Sequence, residues 1–182
     1  GAEQYIIDAL NWCGITIDEG VSVGGKHEPY RQSERKEIYR SYALQLVESG
    51  KAYYAFDTAE QLEQQRQTAE QKKETFSYGS ATRMKLNNSL ALTIKEVNER
   101  LSNNVPYVIR LKVPENETIT FTDLIRGEVS FDSNLVDDKV LLKSDGMPTY
   151  HLAHIVDDYL MEITHAIRGE EWLPSAPAHI LI

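Results

Sequence analysis

The chain has 182 residues, 41% hydrophobic and 26% charged, and its 28 acidic against 19 basic side chains leave a formal net charge of −9. This composition fits one folded core, or a modest core plus an inserted subdomain, and it excludes a general basic footprint for nucleic acid. No apolar run approaches the roughly 18–20 residues that cross a bilayer.

The opening GAEQYIIDALNW has neither the basic region nor the cleavage site of a signal peptide. The lone Cys13 can close no internal disulfide and supports no thiolate zinc knuckle. Both features predict a reducing compartment, the cytoplasm. Charge is spread unevenly. Residues 33–148 hold 16 bases and 18 acids, residues 1–32 hold 2 and 5, and residues 149–182 hold 1 and 5. Any contact with RNA is therefore expected in the middle, as a local patch.

In chain order, Tyr5, Ile6, Ala9, Leu10 and Cys13 recur at helical spacing, and Gly14 sits where a C′ glycine belongs. The chain begins almost inside this helix, as a piece of a longer protein would. DEGVSVGGKHEPYRQSER reads as a Gly- and Pro-containing loop. Ser33 is then expected to cap a second helix with Ile38, Tyr42, Ala43 and Leu46 on its apolar face and Gly50 as its stop. AYYAF (52–56) is strand-like. Thr58 with Gln61 forms a capping box for a thin, solvated helix from Ala59 to about Lys73, and Thr93 with Glu96 forms another. TFSYGSATRMKLNNS is aperiodic and predicts a loop. Strands are expected at 107–113, 118–123, 127–131 and 139–143 from their alternation and short polar connections. The order describes an α+β module set between pieces of another fold.

Three stretches carry candidate chemistry. In HLAHIVDD, positions 151, 154 and 158 would share a helix face, but no further nitrogen or sulfur ligand is nearby, so a metal site is not expected. The ordinary reading is a strand-to-helix passage whose aspartates cap or bond backbone amides. In ITHAIRGEEW, Ile163, Thr164, Ala166 and Ile167 predict a buried strand delivering Arg168 at its C-terminal end, the edge at which open α/β sheets bind ligands. A guanidinium there suits a carboxylate or phosphate; pairing with Glu170 or Glu171 on the surface explains it equally. In EPYRQSER, Tyr30, Arg31 and Arg35 can hold an anionic ligand, or can simply form a solvated loop and helix start.

DEGVSVGGKHEPYRQSERKEIY, AYYAF, YVIRLKVP, LLKSDGMPTYHLAHIVDDYLMEITHAIRGEEWLPSAP and HILI, in this order, resemble the middle of bacterial glutamyl-tRNA synthetases, a family of class I aminoacyl-tRNA synthetases. The likeness covers nearly the whole chain. It implies an α/β fold: parts of a class I Rossmann nucleotide-binding domain interrupted by an α+β insertion that holds the tRNA acceptor end. Residues 1–32 would end the first Rossmann half, 33–148 would form the insertion, and 149–182 would begin the second half. Neither ATP signature of the family, His-Ile-Gly-His-like or Lys-Met-Ser-Lys-Ser-like, occurs here. No catalytic residue is therefore expected within the chain, and the 182 residues alone are expected to be inactive.

The resemblance implies glutamate binding by Tyr150, His154, Arg168 and Trp172, an ATP contact from Glu171 beside the adenylate site, and acceptor contacts from Tyr30, Arg31, Arg35, Tyr78 and Arg83. His154 stands where the family usually has asparagine, and Glu28 where glycine is common before Pro-Tyr. The longer enzyme would join L-glutamate to ATP, with Mg2+ accompanying the nucleotide, and pass the glutamyl group to tRNA(Glu). It is expected to be a monomer with no membrane partner, and no zinc or other metal is expected in this stretch. The rival readings are a non-catalytic module binding RNA acceptor stems, and a glutaminyl or glutamyl-queuosine relative.

Overall fold

A computed structural model describes all 182 residues, Gly1 to Ile182. They divide into two compact units, Gly1–Arg35 and Lys36–Ile182. In the first unit, helix α1 (Ala2–Trp12) ends at Gly14, whose φ of +71° supplies the left-handed residue that closes a helix. None of its residues is buried: Tyr5 is 76% and Trp12 88% exposed. The following loop is organised around one carboxylate. Glu19 accepts from the His27 backbone N–H (2.7 Å) and from the Tyr30 hydroxyl, and lies 2.8 Å from His27 Nδ1. A Cβ at Gly25, where φ is +148°, would run into the Glu19 and Tyr30 side chains.

Ser33 does not cap the second helix. It lies inside a short 3-10 turn, Gln32–Glu34. Arg35 intervenes, donating to the carbonyls of His27 (3.1 Å) and Pro29 (2.8 Å), so α2 (Lys36–Glu48) starts only after it.

The second unit is built on an antiparallel sheet of β1 (Ala52–Ala55), β2 (Val108–Leu111) and β5 (Val140–Leu142), with β2 in the centre. Ala52, Ile109, Leu111, Leu141 and Leu142 form one core with Tyr39 and Ala43 of α2 and with Leu152, Ala153 and Val156 of α5 (Tyr150–Leu160). Alternate residues serve the other face, where Tyr53 and Ala55 pack with Tyr78 and Leu86. Ile38, Tyr42 and Leu46 lie against the first core as the periodicity predicts, and Gly50 (φ +72°) ends α2's turn.

Both capping boxes form, opening α3 (Ala59–Gln71) and α4 (Ile94–Ser102); α3 buries no residue. A separate hairpin, β3 (Thr118–Asp123) with β4 (Gly127–Asp132), turns on Asp123, which accepts from the N–H groups of Ile125 and Arg126 (2.8 Å each).

Two expectations for the last segment fail. HLAHIVDD is the body of α5 rather than a strand-to-helix passage: Asp157 accepts from the Tyr39 hydroxyl (2.8 Å) and the Asp158 carboxylate lies 3.0 Å from His154 Nδ1. Residues 163–167 are not a buried strand. No strand of the chain lies beside them to take their backbone hydrogen bonds, and Ile163 and Ile167 stand 51% and 94% exposed. The chain closes with a 3-10 segment, Glu170–Ser175, and α6 (Ala176–Leu181).

Candidate amino-acid pocket

The start of α5 is fixed to the sheet. The Thr149 N–H donates to Leu141 O (2.8 Å) and its hydroxyl to Val140 O (2.6 Å), so the hydroxyl ties the helix to β5 instead of capping it. Leu152, Ala153 and Val156 then face the core, which turns Tyr150, His154 and Asp158, spaced by four, along the opposite flank.

Four sequence-predicted residues meet on this flank. The Tyr150 and His154 rings lie nearly parallel (15°) with centroids 5.3 Å apart, and Trp172 approaches Tyr150 to 5.0 Å. Arg168 arrives on the irregular segment with its guanidinium carbon 5.5 Å from the Tyr150 ring centre. One of its terminal nitrogens lies 2.7 and 2.6 Å from His154 Nδ1 and Nε2. Tyr150 and Trp172 remain 39% and 42% exposed, so the wall is open to a ligand.

The charge arrangement is informative. Arg168 forms no ion pair with a carboxylate; it rests on an imidazole, and partial burial pushes its pKa down from the usual arginine value. The surface pairing with Glu170 or Glu171 does not occur. Glu170 is bound to Arg126 (3.1 Å), and the Glu171 carboxylate occupies the space that a Cβ on Gly169 would need. A cation held among aromatic rings without a counter-charge is suited to an incoming anion.

Sequence reasoning missed His179 at the site. Its ring is 4.8 Å from that of His154, and its Nε2 is 3.1 Å from His151 Nδ1. Burial pushes the His179 pKa down to about 4, with the neighbouring His154, His151 and Arg168 side chains adding to the shift; burial likewise lowers that of His151. Both are neutral at pH 7. A polar residue alone in the apolar run APAHILI was the available signal. Nowhere in the chain are three or more His, Cys, Asp or Glu side chains gathered so as to hold a metal ion.

The remaining candidates lie elsewhere. In the first unit Arg31 is exposed and paired with Glu3 (3.0 Å), whereas Tyr30 and Arg35 are engaged within their loop. In the second unit Tyr78 and Arg83 are 6% and 4% exposed. Tyr78 donates to Asp57 (2.8 Å), and Arg83 binds Val113 O (2.8 Å), Glu115 (2.6 Å) and Asp138 (3.2 Å). The polar ends of both side chains are engaged inside the fold. This buried knot, centred on Asp138 with Tyr53, was invisible in sequence.

An α/β module that sets an uncompensated guanidinium against an aromatic wall is an arrangement suited to a small anion. The chain belongs to the class I tRNA synthetases for glutamate and glutamine: the model of that family's catalytic domain matches residues 1–182. It is 61% identical over its whole length to the glutamate–tRNA ligase of Cytophaga hutchinsonii and 58% identical to that of Christiangramia forsetii. Its fold overlays a glutamate tRNA ligase from Elizabethkingia meningosepticum, solved in complex with its amino acid, at a TM-score of 0.97 and 50% identity, covering all of this chain and 36% of that one. The chain spans 35% and 36% of the lengths of the two curated relatives.

Proposed function

We propose that this chain is the central part of a glutamate–tRNA ligase and carries the wall of its amino-acid pocket. The observation that carries the proposal is Arg168, a cation without a carboxylate partner, held beside Tyr150, His154 and Trp172. Glutamate has a second carboxylate where glutamine has an amide. An unneutralised guanidinium prefers the former, which favours the glutamyl reading over the glutaminyl one.

In this reading Arg168 and the Tyr150 hydroxyl hold the side-chain carboxylate of glutamate. An oxygen of its α-carboxylate then attacks the α-phosphorus of ATP and expels pyrophosphate. A ribose hydroxyl of the tRNA's terminal adenosine next attacks the glutamyl carbonyl and AMP leaves. The chain's residues contribute position and charge rather than covalent assistance. Glu171 stands on the nucleotide side, and ATP enters with its Mg2+ as substrate. Residues 1–32 and 149–182 are assigned to a Rossmann domain and 33–148 to its acceptor-binding insertion. Arg31 remains the exposed cation for an acceptor phosphate, while Tyr30, Arg35, Tyr78 and Arg83 frame the loops from within. No helix is long and apolar enough to cross a membrane. The ligase of this reading works in the cytoplasm on tRNA(Glu).

The test is Arg168→Ala in the whole ligase. The expected result is a fall in kcat/KM for glutamate of at least about a hundredfold, as for loss of a charge-assisted contact, with the KM for ATP little changed. An unaltered glutamate dependence would remove Arg168 from the pocket. The rival, an RNA module without an amino-acid site, predicts salt-sensitive acceptor-stem binding and no glutamate dependence at all.

A further inference from the structure

The second unit holds another cation without a carboxylate, and it lies outside the amino-acid pocket. In β2, Ile109 and Leu111 belong to the first core, so Arg110 between them points to the other face of the sheet, toward Tyr53 and Tyr78. Its guanidinium carbon is 3.8 Å from the centre of the Tyr78 ring. Nη1 donates to the Asp138 backbone carbonyl (2.9 Å). Nη2 makes no hydrogen bond within the chain, and Nε is closed off from solvent without a partner.

The carboxylates that act on Arg110 from nearby are engaged elsewhere. Asp57 accepts from the Tyr78 hydroxyl (2.8 Å) and the Asn87 N–H (2.9 Å), and Asp138 is bound by Arg83, Tyr53 and Val113. Burial pushes the Arg110 pKa down from the usual arginine value, as expected of a guanidinium withdrawn from water without a counter-ion. It stays charged all the same.

Arg110 lines a cavity of about 210 Å³ together with Arg66, Phe76, Tyr78, Asp137 and Lys139. Lys139 pairs with Asp137 (3.1 Å), whose other oxygen takes the Ser77 hydroxyl, and Arg66 pairs with Glu63 (3.2 Å). These charges balance one another and leave that of Arg110 over.

We infer that this cavity is an oxyanion site, which takes a phosphate group against the Nε–Nη2 edge of Arg110. That edge carries two parallel N–H groups spaced for two oxygens of one anion, whereas Nη1 is already bound. The anion gives Nε the partner it lacks and the guanidinium its counter-charge. A carboxylate would have both oxygens engaged by the fork. A phosphate keeps a further oxygen for the ammonium of Lys139, and Phe76 offers an apolar side to whatever carries it. The site shares no residue with the wall around Arg168 and does not depend on the reading of Arg168. The phosphate can belong to the tRNA backbone or to a small free phosphate; the chemistry is the same, and the experiment separates the two.

Inorganic phosphate is titrated into the whole ligase carrying isotope-labelled arginine. The Nε–H resonance of Arg110 should shift as it gains an acceptor. The signal is identified by its loss in Arg110→Lys, and independently by the ring current of Tyr78, so the test stands if that variant does not fold. Lys139→Gln alters a side chain that is 36% exposed, and should weaken phosphate binding about three- to tenfold. If the natural group is a tRNA phosphate, saturating tRNA abolishes the response to inorganic phosphate. Lys139→Gln then lowers the salt slope of tRNA binding by about one. If the natural group is a free phosphate, the response persists with tRNA bound and tRNA affinity is the same in both variants.

The inference is overturned if the Arg110 signal stays fixed through the titration and tRNA binding is indifferent to both substitutions. It is equally overturned if sodium chloride at matched ionic strength shifts the signal as far as phosphate does. Should Arg168→Ala leave glutamate dependence intact, the proposed function fails and this site is untouched.

Discussion

Replacing Arg83 by methionine should unfold the second unit far more readily than replacing an exposed arginine. Arg83 is 4% exposed, and its partner Asp138 is fully buried. The carboxylate of Asp138 accepts from the Tyr53 hydroxyl (2.6 Å), the Val113 N–H (3.0 Å) and Arg83 (3.2 Å). Burial pushes its pKa up from the carboxylate range against the pull of all three donors. Methionine fills the arginine stem but leaves that charge with two neutral donors and without its ion-pair partner; Arg110 reaches only the Asp138 backbone carbonyl (2.9 Å).

Stranding one partner of a buried pair costs about 3–5 kcal/mol. With a urea slope of about 2 kcal/mol/M, the unfolding midpoint should fall by about 1.5–2.5 M. Asp138→Asn removes the stranded charge, keeps one acceptor oxygen for the Val113 N–H and turns an amide N–H toward the Tyr53 hydroxyl oxygen, so it should recover roughly 1–2 kcal/mol in the methionine background. A midpoint shift below about 0.5 M for the single variant, or no recovery in the double, would refute the assignment of Arg83 to the interior.

Acidification should weaken the pocket wall. The folded pKa of His179, near 4, lies below the ordinary imidazole value of 6.5, so the unfolded chain takes the proton first. Stability is complete above about pH 6.5 and is lost as the pH falls toward 4, by on the order of 3 kcal/mol, with His151 acting in the same direction. Urea unfolding at several pH values checks this, and His179→Gln should flatten the slope; an equally steep slope without His179 would contradict it. Thr93→Ala should cost about 1 kcal/mol by opening the first turn of α4, read as faster amide exchange confined to that helix. Unchanged exchange there would show the capping box to be idle.

The elements legible in the sequence are those whose cause is local. Thr58 with Gln61 and Thr93 with Glu96 carry their own helix starts, and the alternation in 118–123 carries its own strand. Ser33 misled because the donors that would select a cap depend on Arg35, whose guanidinium is tied to loop carbonyls six and eight residues away. The segment 163–167 has a strand's composition, but a strand needs a neighbour, and composition cannot say whether one is present.

The pocket was partly readable. Tyr150 and Arg168 were singled out by their chemistry and their resemblance, and they converge. His179, 28 residues from His151, and the Asp138 knot joining positions 53, 83, 113 and 138 are products of tertiary packing, with no spacing in the sequence to betray them.

The most direct measurement is a structure of the whole ligase with glutamate bound. The account predicts the side-chain carboxylate within hydrogen-bond distance, about 3 Å, of both the Arg168 guanidinium and the Tyr150 hydroxyl, with His154 still against Arg168. Glutamate seated away from Arg168, or a side-chain carboxylate held by other cations alone, would contradict it.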